Sequence, residues 1–94
     1  MSQDIHNTDS LLPVGSVVIL KGLDQTIMIY GRMQRQLGKS TLWDYVGCPY
    51  PQGFLSEDYN IFFNHNQVYQ TLFKGYETET ELELREKLVE KFKQ

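Results

Sequence analysis

The chain holds one cysteine, two histidines and three prolines among its 94 residues. A single cysteine excludes an intramolecular disulfide, so no disulfide framework can stand in for a core. That composition fits a reducing compartment. One Cys and two His, with no CxxC or HxxxH spacing, supply no metal-ligand set, and neither metal nor cofactor is expected. An excess of one charge is missing too. Twelve acids against nine bases leave a net charge of −3, which gives no general attraction to nucleic acid or anionic membrane. Long apolar runs are absent as well. The longest, such as Val17 to Leu20, fall far below the roughly 20 residues a membrane-spanning helix needs. The opening "MSQDIHNTDS" has neither the basic start nor the apolar centre of a secretory signal, so a cytoplasmic protein is expected.

Aromatic residues are what the chain has in quantity, at 13%. A chain of this length buries about 60–65% of its unfolded surface, enough for one core, and large rings fill a small core efficiently. Residues 1–10 are polar and patternless and read as a flexible tail. Residues 11–94 read as a single globular domain, with strands over about 16–75 and a helix over about 78–93.

Pro13 and Gly15 punctuate the entry to a β-branched run, Val17 to Leu20. "GLDQ" is turn-sized, and "TIMIYGRMQ" makes a second strand in which Gly31 marks a bulge or bend. A polar loop "RQLGKS" leads to a third strand "TLWDYV", with Leu42, Asp44 and Val46 on one face and Trp43 and Tyr45 on the other. Pro49 and Pro51 deny two backbone donors and predict an ordered loop from Gly47 to Gly53. "NIFFN" and "VYQTLFKGY" complete the strands. From Thr78 the period becomes helical. Thr78 and Glu81 form a capping box, Glu81 and Arg85 an i,i+4 pair. Leu82, Leu84, Leu88, Val89 and Phe92 make an apolar face expected to pack on the sheet.

Catalytic chemistry finds little support. Cys48 as a nucleophile needs a base; His6 lies in the tail, leaving His65 in a turn, and a buried structural thiol is the expected role of Cys48. "LGKST" resembles the end of a phosphate-binding loop, but the required earlier Gly is Met33 and a strand follows instead of a helix. Asp44, Glu57 and Asp58 are expected to be surface acids. No catalytic residue is assigned. Arg32, Arg35 and Lys39 form a basic loop that could track a phosphate backbone. Trp43, Tyr45, Tyr50 and Phe54 are more aromatics than so small a core needs, and make a candidate partner surface.

"LLPVGSVVILKG", "IMIYGR", "DYVGCPYPQG", "FFNHNQV" and "FKGY" followed by an acidic helix resemble a domain-of-unknown-function family of Gram-positive bacteria, the one numbered 4176. The resemblance covers about Leu11 to Phe92. Within it Gly15, Gly47, Cys48, Pro49, Pro51, Gly53 and Gly75 read as a structural signature. The family's genes lie near type VII secretion clusters that export LXG-type toxins, which implies an adaptor, targeting factor or chaperone. No tyrosine has Asp or Glu four residues later, and Trp43 is not followed by x-Gly, so the chain does not resemble a direct substrate of that machinery.

The expected fold is α+β: a small antiparallel sheet or SH3-like half-barrel of about five strands with one C-terminal helix. The expected function is a non-enzymatic, protein-binding accessory role in type VII secretion, the partner an LXG-type toxin or secretion component. A small immunity protein neutralising a toxin, or a nucleic-acid-binding SH3-like module, are the alternatives.

Overall fold

A computed structural model describes residues 11–92; the tail expected at residues 1–10 lies outside the described residues. The chain forms β1 (Val17–Leu20), β2 (Thr26–Arg35), β3 (Leu42–Pro49), β4 (Ile61–Phe63), β5 (Val68–Phe73) and α1 (Glu79–Phe92). The five strands make one antiparallel sheet in the order β4-β3-β2-β1-β5. Together with α1 this is the expected α+β fold.

The connection from β4 to β5 dictates the shape of that sheet. These strands sit at opposite ends of the order, which in a flat sheet would be four strand spacings, roughly 19 Å. Residues 63 to 68, fully extended, would reach roughly 17 Å, and His65–Gln67 is instead coiled into a 3-10 turn. The sheet must curl. It does so as an open half-barrel whose order ends at β4 and β5.

Directly paired residues share a face of the sheet, so the register sorts the side chains. Val18 and Leu20, Ile27 and Ile29, Tyr45 and Phe63 point inward and form the core with Leu11 and Val89. Val17, Met28 and Cys48 are cross-strand neighbours on the outer face. Gly47 stands opposite Ile29 on the inner side, where a Cβ would collide with Ile27 Cγ2 and the Met28 carbonyl. Gly75 is equally constrained. A Cβ there would strike the Val14 carbonyl, while its N–H donates to Ser16 Oγ at 2.9 Å.

The interruption expected at Gly31 is a bulge: the β2–β3 register slips between Ile29 and Gly31. One extra residue reverses which side chains face inward. Arg32 therefore pairs with Tyr45 and turns into the protein, 6% exposed. Its Nη1 donates to the Leu12 carbonyl at 3.3 Å and to Glu81. This corrects the reading of Arg32 as part of a basic loop. Arg35 and Lys39 are exposed on the hairpin as expected, with Arg35 Nε donating to the Ser40 carbonyl at 3.3 Å.

The inward arginine explains how α1 docks. Glu81 Oε1 also accepts from Arg85 Nη2 at 3.0 Å, and Arg85 donates to Glu77 as well. Residues 81, 85, 88 and 89 form one stripe of the helix, of which Arg85 and Val89 are buried. Leu82 and Leu84 flank that stripe and are exposed, correcting their place in the broad apolar face expected to pack on the sheet, of which Val89 is buried. Thr78 Oγ1 accepts from the Glu81 N–H at 3.0 Å, the first half of the capping box. The Glu81 carboxylate goes instead to the two arginines.

β3 runs further than expected, through Gly47 and Cys48 to Pro49. The Tyr50 N–H bonds the Thr26 carbonyl at 2.8 Å. By alternation the Pro49 nitrogen faces the other side, beyond the Gly47–Ile61 pair where β4 stops. A proline is tolerated at such a place because no ladder bond is lost.

Candidate protein-docking face

β1 and β2 do not alternate apolar with polar. "VVIL" and "TIMIY" present Val17, Ile19, Thr26, Met28 and Tyr30 on the side away from the core. β3 adds Val46 and Cys48, and β5 adds Phe73 opposite Val17. None of these carries a charge. An antiparallel sheet with one solvated face shows apolar-polar alternation, whereas near-continuous apolar strands are those covered on both faces. Here the inner face is covered by residues 11–13 and α1. On the outer side Val46 and Cys48 are buried where the chain after β3 folds back, while Val17, Thr26 and Met28 remain half-buried.

A shallow groove of about 580 Å³ runs over this outer face, lined by Gly15, Val17, Thr26, Met28, Tyr50, Leu72 and Phe73. Tyr50 is 48% exposed and Phe73 62%. The loop after β3 is held against the sheet by Gln25, whose Nε2 donates to the carbonyls of Tyr50 (3.0 Å) and Thr26 (3.1 Å). The Gly53 N–H closes the turn onto the Pro49 carbonyl at 2.7 Å, and the Tyr50–Pro51 peptide is cis. Phe54 then folds back edge-on to Tyr30, ring centroids 5.9 Å apart at 87°, and stays exposed. A second, polar cavity of about 430 Å³ lies beside it, with Tyr30, Arg35, Glu57, Asp58 and Asn60 among its lining. Burial pushes the Tyr30 hydroxyl up, against the lowering hydrogen bond from Asn60.

The four aromatics singled out in the sequence separate into two groups. Tyr50 and Phe54 lie exposed on this side. Tyr45 does not: it is fully buried in the core, and this corrects its place on a partner surface. Its hydroxyl accepts from the Leu12 N–H at 2.9 Å and meets His65 Nδ1 at 2.6 Å. Burial holds His65 below its ordinary pKa, against the raising effect of Asp44, whose Oδ2 accepts from the His65 backbone N–H at 2.8 Å. Burial likewise raises Tyr45 well above the ordinary tyrosine value, against the lowering hydrogen bond from Leu12. Trp43, two residues along the same face as Tyr45, is half-buried, and its Nε1 finds no acceptor among the described residues.

Cys48 and His65 are not brought together. Cys48 is on the outer side, opposite Met28, while His65 bonds Tyr45 on the inner side. The sheet stands between them. Burial raises the Cys48 thiol pKa, which disfavours the thiolate a nucleophile requires. Among the described residues no three of His, Cys, Asp and Glu gather as metal ligands, and no helix is long and apolar enough to cross a membrane.

Sequence reasoning missed Met28, Leu72 and Phe73 as parts of this face. The signal was present in the absence of alternation along "VVIL" and "TIMIY", which is read correctly only when both faces of a strand are considered.

No curated protein and no solved structure matches the chain. A family model described as "Domain of unknown function (DUF4176)" matches residues 11–84, which spans all five strands and the first turn and more of α1. The chain belongs to the DUF4176 family.

Proposed function

We propose that this protein is a non-enzymatic, protein-binding accessory factor that holds its partner on the outer face of the sheet. The carrying observation is an asymmetry of cover: the inner face is closed by residues 11–13 and α1, while an uncharged groove over β5, β1 and β2 stays open on the outer side. Exposed aromatic area at Tyr50, Phe54 and Phe73 supplies the residue type that dominates interface hot spots. The burial of Arg32 in an ion-pair cluster weakens the nucleic-acid alternative, because it removes one of the three cations that reading needs.

The sequence resemblance supports the finer reading: an adaptor, targeting factor or chaperone for LXG-type toxins of a Gram-positive type VII secretion system, acting in the cytoplasm. Affinity pull-down from the native host tests it. An LXG-type toxin or a secretion component should co-purify with the native chain. Co-purification of nucleic acid alone, or steeply salt-dependent binding to it, would contradict the proposal.

A further inference from the structure

We infer that the partner engages through an extended segment, which adds a strand to the free edge of β5. This rests on the reading of the outer side as the docking surface, which β5 borders through Leu72 and Phe73, and it specifies the backbone form of what docks there. The sheet order ends at β5. Its ladder runs to β1 alone, and among the described residues no other backbone bond reaches residues 68–73. Tyr69 to Phe73 are exposed without a break. The N–H and C=O groups on the far side of β5 therefore face water. A strand laid along them satisfies its own backbone groups and those of β5 together.

The two ends of the sheet are unlike. Natural proteins blunt a sheet edge by keeping it short, by placing charge or proline on it, or by bulging it. β4, at the other end, is three residues long. β5 is six, "VYQTLF", with no charge and no proline. Bulging is the device it does carry. The register against β1 slips between Val17 and Val18 and between Ile19 and Leu20, leaving Tyr69 and Leu72 without a partner on β1.

Those bulges decide which occupant fits. A bulge bends its strand and increases the local twist. The β5 edges of two copies, each already bent at two places, would have to match along their whole length. A segment without structure of its own adjusts its backbone to one bent edge, at a cost in ordering entropy. The occupant is therefore a flexible segment of the partner and not the β5 strand of a second copy.

The side chains of β5 set the chemistry of that segment, because paired positions share a face. Tyr69, Leu72 and Phe73 are 70, 50 and 62% exposed. Phe73 stands opposite Val17 on the outer side, and Thr71 opposite Val18 on the inner side. Apolar or β-branched residues beside Phe73 carry the apolar floor of the groove one strand further. Residues on the other side lie beside Thr71 and are free to be polar. No position of β5 asks for a charge, and the next residue, Lys74, is already paired with Glu77 Oε1 at 3.5 Å.

The test is selection of binders to the full chain from a displayed library of random 12-residue peptides. Enriched sequences should be uncharged at their centre, with apolar residues at a period of two. Their synthetic forms should slow amide hydrogen exchange within Val68–Phe73. Each binder is then N-methylated at one residue at a time. In a strand, alternate N–H groups face the neighbouring strand. Methylation should weaken binding at least about tenfold, or about 1.4 kcal/mol, at every second position and leave the positions between nearly unchanged. Losses without that alternation, apolar residues at helical spacing, protection away from β5, or a library yielding no binder would overturn the inference. Self-association of the free chain that protects the same amides would also overturn it, in favour of a second copy. The peptide assay needs no native partner. Strand-adding peptides together with a failed pull-down would sink the secretion role alone, and a captured secretion partner that leaves β5 unprotected would sink the added strand alone.

Discussion

Glu81→Ala should be the most damaging single change on α1. The Glu81 carboxylate serves two buried cations at once, Arg32 through Oε2 and Arg85 through Oε1. The side chains of Arg32 and Arg85 are only 3% and 6% exposed. Removing the acid leaves Arg85 with Glu77, but leaves the Arg32 guanidinium with the Leu12 carbonyl at 3.3 Å as its remaining partner among the described residues. An uncompensated buried charge costs about 3–5 kcal/mol, a large share of the roughly 5–15 kcal/mol that holds a small domain together. With a urea slope of about 1–3 kcal/mol per molar, the unfolding midpoint should fall by at least about 1 M. Arg32→Leu should cost much less, because Glu81 keeps Arg85 and the new side chain is apolar. The double variant Arg32→Leu/Glu81→Leu should recover most of what Glu81→Ala loses. If Glu81→Ala costs less than about 1 kcal/mol, or no more than Arg32→Leu, the ion-pair account of helix docking is wrong.

Acidification should destabilise the domain through His65. Its folded pKa is depressed, so the unfolded chain binds the extra proton first; this stability is full above the unfolded value of about 6.5 and is lost as pH falls below it. His65→Gln should flatten the change in urea midpoint between pH 7.5 and 5.5, and an unaltered slope would refute this. Cys48→Ala should fold with a cost on the order of 1 kcal/mol and keep partner capture; loss of capture in a still-folded variant would defeat the structural role of the thiol. A chain ending after Gly75 loses Glu77, Glu81, Arg85 and Val89 together and should not unfold cooperatively; native-like urea unfolding would contradict it.

The strands were legible in the sequence because their signals are local. β-branched runs, Gly22 and the polar hairpin near Gly38 bracket β1, β2 and β3, and the change of period at Thr78 announces α1. What stayed hidden depends on pairing. The bulge at Gly31 was readable as an irregularity, but its effect on Arg32 was not, because inward or outward direction beyond a bulge follows from counting residues against the partner strand. Once Arg32 is inside, Glu81 and Arg85 become its natural cover, and the helix buries charge where its leucines looked better suited. Tyr45 was assigned to the correct side of β3 with Trp43, yet nothing local told which side faces the core. Tyr50 and Phe54 were legible as exposed because prolines and glycines around them hold the chain away from regular pairing.

Partner retention by Tyr50→Ala and Phe73→Glu proteins, measured beside the native chain at equal concentration, tests the docking face most directly. Both positions are exposed, so urea midpoints should stay within about 0.5 kcal/mol of native. The account predicts that retained partner falls at least about tenfold for Phe73→Glu and clearly for Tyr50→Ala. Undiminished retention by both folded variants would place the partner elsewhere on the molecule and contradict the claim.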